Sequence, residues 1–138
     1  MIILDTNVVS EVMQGPESSP ALAWVVSQDP EQLAITAITV MEVSNGIARM
    51  PAGPRRDHVA AQWSLLEGQW LGTFLPLGMH DAQVAGALSA KRMGMGRRIS
   101  MADACIAGIC LARDATLATR NTRDFDGIGL ALVDPWAH

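Results

Sequence analysis

Five short apolar runs, at residues 1–4, 33–35, 73–77, 116–119 and 130–133, are strung along the chain, most of them separated by segments of helical period. That alternation constrains the fold more than any other feature of the sequence. A short apolar run bounded by turn residues reads as a strand buried on both faces. Strands that alternate with helices are joined by right-handed crossovers, which build a parallel sheet and cover it with helices on both sides. The expected architecture is therefore α/β, a three-layer α/β/α sandwich around a central parallel sheet.

The helical segments carry their own signals. Residues 8–13 precede Gly15-Pro16, and residues 18–28 hold Leu22, Val25 and Val26 with Pro20 near the start. Thr39 precedes an expected helix that runs towards Met50 and stops at Pro51. Val59, Trp63, Leu66 and Trp70 recur at spacings of four, three and four, one face of a helix over 55–70. Residues 80–93 form an Ala- and Gly-rich helix, and residues 94–98 a glycine-punctuated basic loop. The helix over 100–113 is apolar nearly all round, so it is expected to be covered on both sides.

At 138 residues and 49% hydrophobic content, the chain is long and apolar enough for one domain over 1–138 with a full core and no disulfide or structural metal. Disorder is excluded as the main state by the same balance. No charge-free apolar run reaches the ~18 residues of a membrane span, and the apolar N-terminus ends at Asp5 without the basic region of a signal peptide. Cys105 and Cys110 stand five apart in an apolar segment, without CxxC spacing. They read as reduced core residues of a cytoplasmic protein. The formal charge of −4 argues against a protein that simply coats nucleic acid. Yet nine of the ten basic residues are Arg, the side chain suited to phosphate, so their placement matters more than their sum.

The carboxylates are placed more tellingly. In an open parallel sheet, ligands bind beyond the carboxyl ends of the strands. Asp5 directly follows the first strand, and Asn121 and Asp124 follow the fourth. Glu42 is expected in the first turn of the helix after strand two, and Asp103 in the first turn of the helix before strand four. All four acids thus converge on one edge. Carboxylates so grouped repel and raise one another's pKa, and a divalent cation among them reverses the sign of the interaction. An all-oxygen set suits Mg²⁺ or Mn²⁺, which bind phosphate and activate water for attack on a phosphodiester. Each residue also has a simpler explanation. Thr39-x-x-Glu42 is a capping-box pattern, and Ser100-x-x-Asp103 a weaker one. Asp5 is placed to cap a helix starting at Thr6, and Asp124 to sit in a turn.

In order along the chain, these pieces resemble the PIN-domain nucleases. Leu4-Asp5-Thr6-Asn7 resembles their opening, Thr39-Val40-Met41-Glu42 their second acidic position, Ser100-Met101-Ala102-Asp103 the third, and the segment from Leu117 to Phe125 the fourth. The pattern is most similar to VapC-type toxins of bacterial toxin–antitoxin pairs. Residues 37–42 and Val133-Asp134-Pro135-Trp136 resemble the FitB branch. The resemblance implies a PIN fold, an Mg²⁺- or Mn²⁺-dependent endoribonuclease, a homodimer, and a cognate VapB- or FitA-like DNA-binding antitoxin. It assigns the catalytic, metal-binding acids to Asp5, Glu42, Asp103 and Asp124, with Thr6, Asn7, Ser100, Thr119 and Asn121 orienting them. The fourth position departs from some relatives, in which the acid stands where Asn121 is; Asp124 is favoured over Asp126 for it. Without the four acids the formal charge of −4 becomes 0, and Arg97, Arg98, Arg120 and Arg123 offer RNA a basic rim.

Other functions fit less well. A phosphoacceptor receiver domain needs an acidic pair after strand one and a lysine after the last strand; this chain has Asp5 alone and its one lysine, Lys91, inside a helix. No GxxxxGK loop exists, and Gly94-Met95-Gly96 follows a helix rather than a strand. His58, His80 and His138 have no metal-ligand spacing. The stronger rival is a FitB-like dimeric PIN module that acts with a DNA-binding partner in transcriptional regulation, with weak or no nuclease activity. Trp24, Trp63, Trp70, Met41, Met50 and Met93 exceed the obvious needs of a small core, and any that are exposed together would mark an interface for a second copy or the antitoxin.

Overall fold

A computed structural model describes residues 1–70 and 73–137, with the side chains of Gln69 and Trp70 outside the description. The expectations for Trp70 and His138 therefore lie outside the described residues. Five strands, β1 (Ile2–Leu4), β2 (Leu33–Thr36), β3 (Phe74–Leu75), β4 (Thr116–Ala118) and β5 (Ala131–Val133), form one parallel sheet in the order β3-β2-β1-β4-β5. Register is set by pairs such as Ile3 with Ala34, Leu4 with Ala118 and Ala118 with Val133. Strand β3 is shorter than the expected 73–77. Pro76 has no N–H to continue the ladder, so an edge strand is where it is tolerated.

Alternate strand residues point into two apolar layers. Ile3, Ala34 and Leu117 face one core with Ala85, Leu88, Ile106 and Ile109, which come from α5 (Met79–Gly94) and α6 (Met101–Ala112). Leu4, Leu33, Ile35 and Ala118 face the other. There they meet Val8 and Val9 of α1 (Thr6–Gln14), Val25 of α2 (Pro20–Ser27), Val43 of α3 (Ala37–Arg49) and Trp63 of α4 (Pro54–Leu65). The three-layer sandwich is thus present, with period-two alternation in every long strand feeding both layers. No helix among the described residues is long and apolar enough to cross a membrane.

Several boundaries differ from the sequence expectation. Helix α3 begins at Ala37, capped by Thr36, whose hydroxyl accepts the N–H of Thr39. Thr39 is therefore inside the helix and Glu42 lies in its second turn, so the expected Thr39–Glu42 capping box does not form. Helix α4 gives way to a π-helical turn over Leu66–Trp70, with Val59, Trp63 and Leu66 buried as the spacing predicts. A four-residue helix, α7 (Thr122–Phe125), follows β4 and was not foreseen, being too short to show a period. Cys110 is buried, with its thiol pushed up to about 12, first by burial; Cys105 is half-buried, and both are free.

Candidate functional site

Strand order reverses direction between β1 and β4, the neighbours at the centre of the sheet. In α/β sheets that switch point opens a crevice beyond the carboxyl ends of the strands. Asp5 follows β1 there, and Thr119 follows β4. Their backbones continue the ladder by one step, Asp5 N–H to Ala118 O at 2.9 Å and Thr119 N–H to Val133 O at 2.9 Å. The Thr119 hydroxyl donates to Asp5 Oδ2 at 2.7 Å. Asp5 Oδ1 accepts the N–H of Thr6 at 2.8 Å, so the same carboxylate caps α1. Asn7 Nδ2 lies 3.3 Å from Asp5 Oδ2 and 3.3 Å from Thr119 Oγ1, while its Oδ1 accepts the N–H of Arg120. Asp5 is only 6% exposed, and both of its carboxylate oxygens accept hydrogen bonds.

On the other side of Asp5, the hydroxyl of Thr6 donates to Glu42 Oε1 at 2.7 Å. Thr6 Oγ1 also lies 3.1 Å from the hydroxyl of buried Thr39. A hydroxyl has one proton, and an ionised carboxylate only accepts, so Thr39 donates to Thr6 and Thr6 to Glu42. This relay was not anticipated: the sequence pattern presented Thr39 as a cap. The usable signal was a polar residue at a helical position facing the sheet.

Asp103 is in the first turn of α6, capped by Ser100, whose Oγ accepts the Asp103 N–H at 3.1 Å. Asp124 is exposed in the first turn of α7, its N–H bonded to the carbonyl of Asn121 at 3.0 Å. Asn121 is exposed, and its own N–H donates to Thr119 Oγ1 at 3.1 Å. The four acids act on one another electrostatically. Burial holds the Asp5 carboxyl above the ordinary carboxylate value; the bonds from Thr119 and Thr6 oppose this, and the charges of Glu42 and Asp124 add to it. Asp103 is raised as well, first by burial, then by the charge of Asp5, with Asp124 and Glu42 adding smaller effects. The structure thus brings Asp5, Glu42, Asp103 and Asp124 into one field.

Asp126 is turned elsewhere. Its carboxylate pairs with Arg97 and with Arg92, which is buried and also donates from Nη1 to the Asp126 carbonyl at 2.6 Å. Arg97, expected on a basic rim, is therefore occupied by Asp126 and by the Arg123 carbonyl, to which its Nη2 donates at 3.0 Å. Arg98 and Arg123 are exposed. Arg120 is exposed and lies over the Trp136 ring, 4.9 Å from its centroid.

The donors at the centre of the site are all oxygen, the chemistry of a hard divalent cation. Among the described residues, no three His, Cys, Asp or Glu side chains already close on one point as a metal-binding group. The carboxylates are instead grouped openly, with two of them raised by burial and mutual repulsion. That suits a cation such as Mg²⁺, which keeps several waters and does not require a closed protein cage. His58 and His80 are exposed.

Residues 2–129 match the PIN domain. The chain belongs to the PIN-domain family. It is 38% identical over 140 residues to the VapC ribonuclease Y4jK of Sinorhizobium fredii, covering 99% of this chain and 98% of that protein. It is 31% identical over 138 residues to the toxin FitB of Neisseria gonorrhoeae, covering 99% of each. The crystal structure of FitAcB from the same organism superposes with a TM-score of 0.87 at 30% identity, over 100% of both chains.

Proposed function

We propose that this chain is the toxin of a toxin–antitoxin pair and a metal-dependent endoribonuclease. The observation that carries the reading is the electrostatic grouping of Asp5, Glu42, Asp103 and Asp124 around the switch point of a PIN sheet: burial raises the pKa values of Asp5 and Asp103, the charges of Glu42 and Asp124 add to both, and that of Asp5 adds to Asp103. The VapC ribonuclease and FitB toxin relatives support it. Asp5, Glu42, Asp103 and Asp124 would hold Mg²⁺ or Mn²⁺. Bound there, the metal supplies an activated water and stabilises charge on the phosphoryl oxygens.

The chain's own groups do the positioning. Thr119 and Asn7 fix Asp5, and the Thr39–Thr6 relay points Glu42. Ser100 starts α6 so that Asp103 emerges at the edge, and Asn121 opens the segment carrying Asp124. Such orienting partners hold carboxylates in the ligating pose and tune their basicity. Exposed Arg97, Arg98, Arg120 and Arg123 form the basic rim for the RNA strand, Arg97 while also paired with Asp126. In this reading the protein works in the cytoplasm as one domain and as a homodimer, restrained by a VapB- or FitA-like DNA-binding antitoxin.

Purified protein freed of its antitoxin should cleave RNA with Mg²⁺ or Mn²⁺ and stop in EDTA, and Asp5→Asn should lower the rate by about 10² or more. Full cleavage in EDTA would remove the metal from the mechanism. The likeness to FitB and FitAcB supports a second reading, a regulatory module with little nuclease activity that acts through a DNA-binding partner. RNA left intact by the metal-loaded protein, with promoter binding by the complex, would favour it.

A further inference from the structure

The polar face of α1 lines a cleft beside the acid site. Asn7, Ser10, Glu11 and Gln14 are spaced at three, four and seven from Asn7, so they share one helix face, opposite the buried Val8 and Val9. Arg120 and Trp136 help to wall the cleft, which encloses about 570 Å³ and is open to solvent. That volume is within the range of small-molecule sites.

Asn7 belongs to both places. Its amide nitrogen bonds Asp5 and Thr119, and its amide oxygen takes the Arg120 N–H. The cleft therefore begins where the acid site ends. Trp136 is anchored by its own N–H to Asp134 Oδ1 at 2.9 Å and packs partly buried against the core shared with α2. It holds the Arg120 guanidinium over its ring and leaves Arg120 exposed. Aromatic rings and guanidinium planes are the surfaces on which unpaired bases stack. At the far end, Gly15 gives Glu11 room: a Cβ there would stand 2.7 Å from Glu11 Cδ and 2.9 Å from Oε1.

We infer that this cleft binds one base of the RNA strand, adjacent to the cleaved phosphate, stacked on the Arg120–Trp136 pair with its edge read by α1. The inference rests on the ribonuclease reading above. Glu11, when ionised, offers acceptors only. It therefore favours the exocyclic amino group of adenine, cytosine or guanine over uracil, whose one edge donor, N3–H, lies between two carbonyl oxygens that repel a carboxylate.

The test uses short single-stranded RNAs that differ in the bases flanking the cleavage site. Wild type, Arg120→Gln, Glu11→Gln, Trp136→Ala and Trp136→Phe are compared by kcat and KM. Wild type should cleave RNAs with an amino-bearing base at one flanking position about tenfold better than those with uracil there. Arg120→Gln and Trp136→Ala should raise KM about five- to tenfold, more than they lower kcat, and Trp136→Phe should recover part of the loss. Glu11→Gln should erase the preference against uracil. If Trp136→Ala does not fold, Arg120→Gln and Glu11→Gln, which lie at or near the surface, still decide the matter. Wild-type KM and wild-type base preference in both of those variants would overturn the subsite while leaving the ribonuclease reading intact. A wild-type protein that cleaves no RNA would overturn both.

Discussion

Asp103 is half-buried beside other carboxylates, and its raised pKa sets a sign for stability. Burial and the charge of Asp5 favour its neutral form in the folded chain. A group whose folded pKa exceeds its unfolded value binds protons more readily when folded, so its stabilisation is present below the unfolded value, 3.8, and is lost as pH rises through the raised folded one. At neutral pH the ionised Asp103 therefore works against the fold. Asp103→Asn keeps the backbone N–H to Ser100 and removes the charge. In EDTA at neutral pH it should melt above wild type, and the gap should close below about pH 4, where wild type is itself protonated. Thermal unfolding at the two pH values checks this; a variant that melts lower at neutral pH would mean that Asp103 makes a stabilising contact as an anion. Asp5 and Asp103 were legible in the sequence because each stands beside a strand end or a capping serine. The place of Glu42 was not, because Thr36 and Thr39 are three apart and either can cap a helix. Burial of all of β2 carries the strand up to Thr36 and starts the helix at Ala37, ahead of the expected start after Thr39, a choice made by tertiary packing rather than by local pattern.

At the scale of elements, α5 and α6 pack close enough to need a glycine. A Cβ at Gly108 would lie 2.6 Å from the Asp81 carbonyl oxygen and 2.9 Å from Ala85 Cβ. Helix propensity alone says that Gly108→Ala gains about 1 kcal/mol. Overpacking against a backbone costs about 1–3 kcal/mol, so the net effect should be a loss, read as a lower denaturant midpoint. The same helix pair is tied by Asp81, 5% exposed, which accepts from Gly78 N–H at 2.8 Å and from Arg113 Nη1 at 2.8 Å. Burial alone would raise its pKa, but these partners outweigh burial and lower it. Here the sign is opposite to that of Asp103: the stabilisation is present above 3.8 and is lost as pH falls through the depressed value. Asp81→Ala strands a mostly buried Arg113 and should cost about 3 kcal/mol at neutral pH, and less in acid. Strands and long helices of this fold were legible because a run apolar on both faces and a 3.6-residue period are strong signals. Helix α7 and the π turn after α4 were not, since four or five residues carry no period. The spacing of α5 and α6 was not legible either, because Gly108 in an apolar helix looks the same whether or not another helix presses on it.

For the whole molecule, the order β3-β2-β1-β4-β5 draws residues more than 110 positions apart, Asp5 and Thr119, into one hydrogen bond. No local pattern contains that pairing; it follows from crossover handedness and the reversal of strand order. The acids gathered there raise the energy of the metal-free protein, and a cation that binds only the folded state should recover it. Binding stabilises by RT ln(1 + [L]/Kd), about 2.7 kcal/mol at a hundredfold excess over Kd. For a chain of this size that corresponds to a rise of several degrees in Tm, at about 3–5 °C per kcal/mol. Wild type should show this rise on adding Mg²⁺. Glu42→Gln and Asp103→Asn should show much less of it, since each removes a charged oxygen donor. Neither change removes a helix cap, because Thr36 caps α3 and Ser100 caps α6. A reduced shift therefore reports on the cation and not on helix fraying. Asp126→Asn is the internal control: that carboxylate is committed to Arg92 and Arg97, so the variant should melt lower overall yet keep the full Mg²⁺ shift. Equal Mg²⁺ shifts in wild type, Glu42→Gln and Asp103→Asn would take both carboxylates out of the metal site. A shift lost in Asp126→Asn as well as in the other two would bring Asp126 into the cation site.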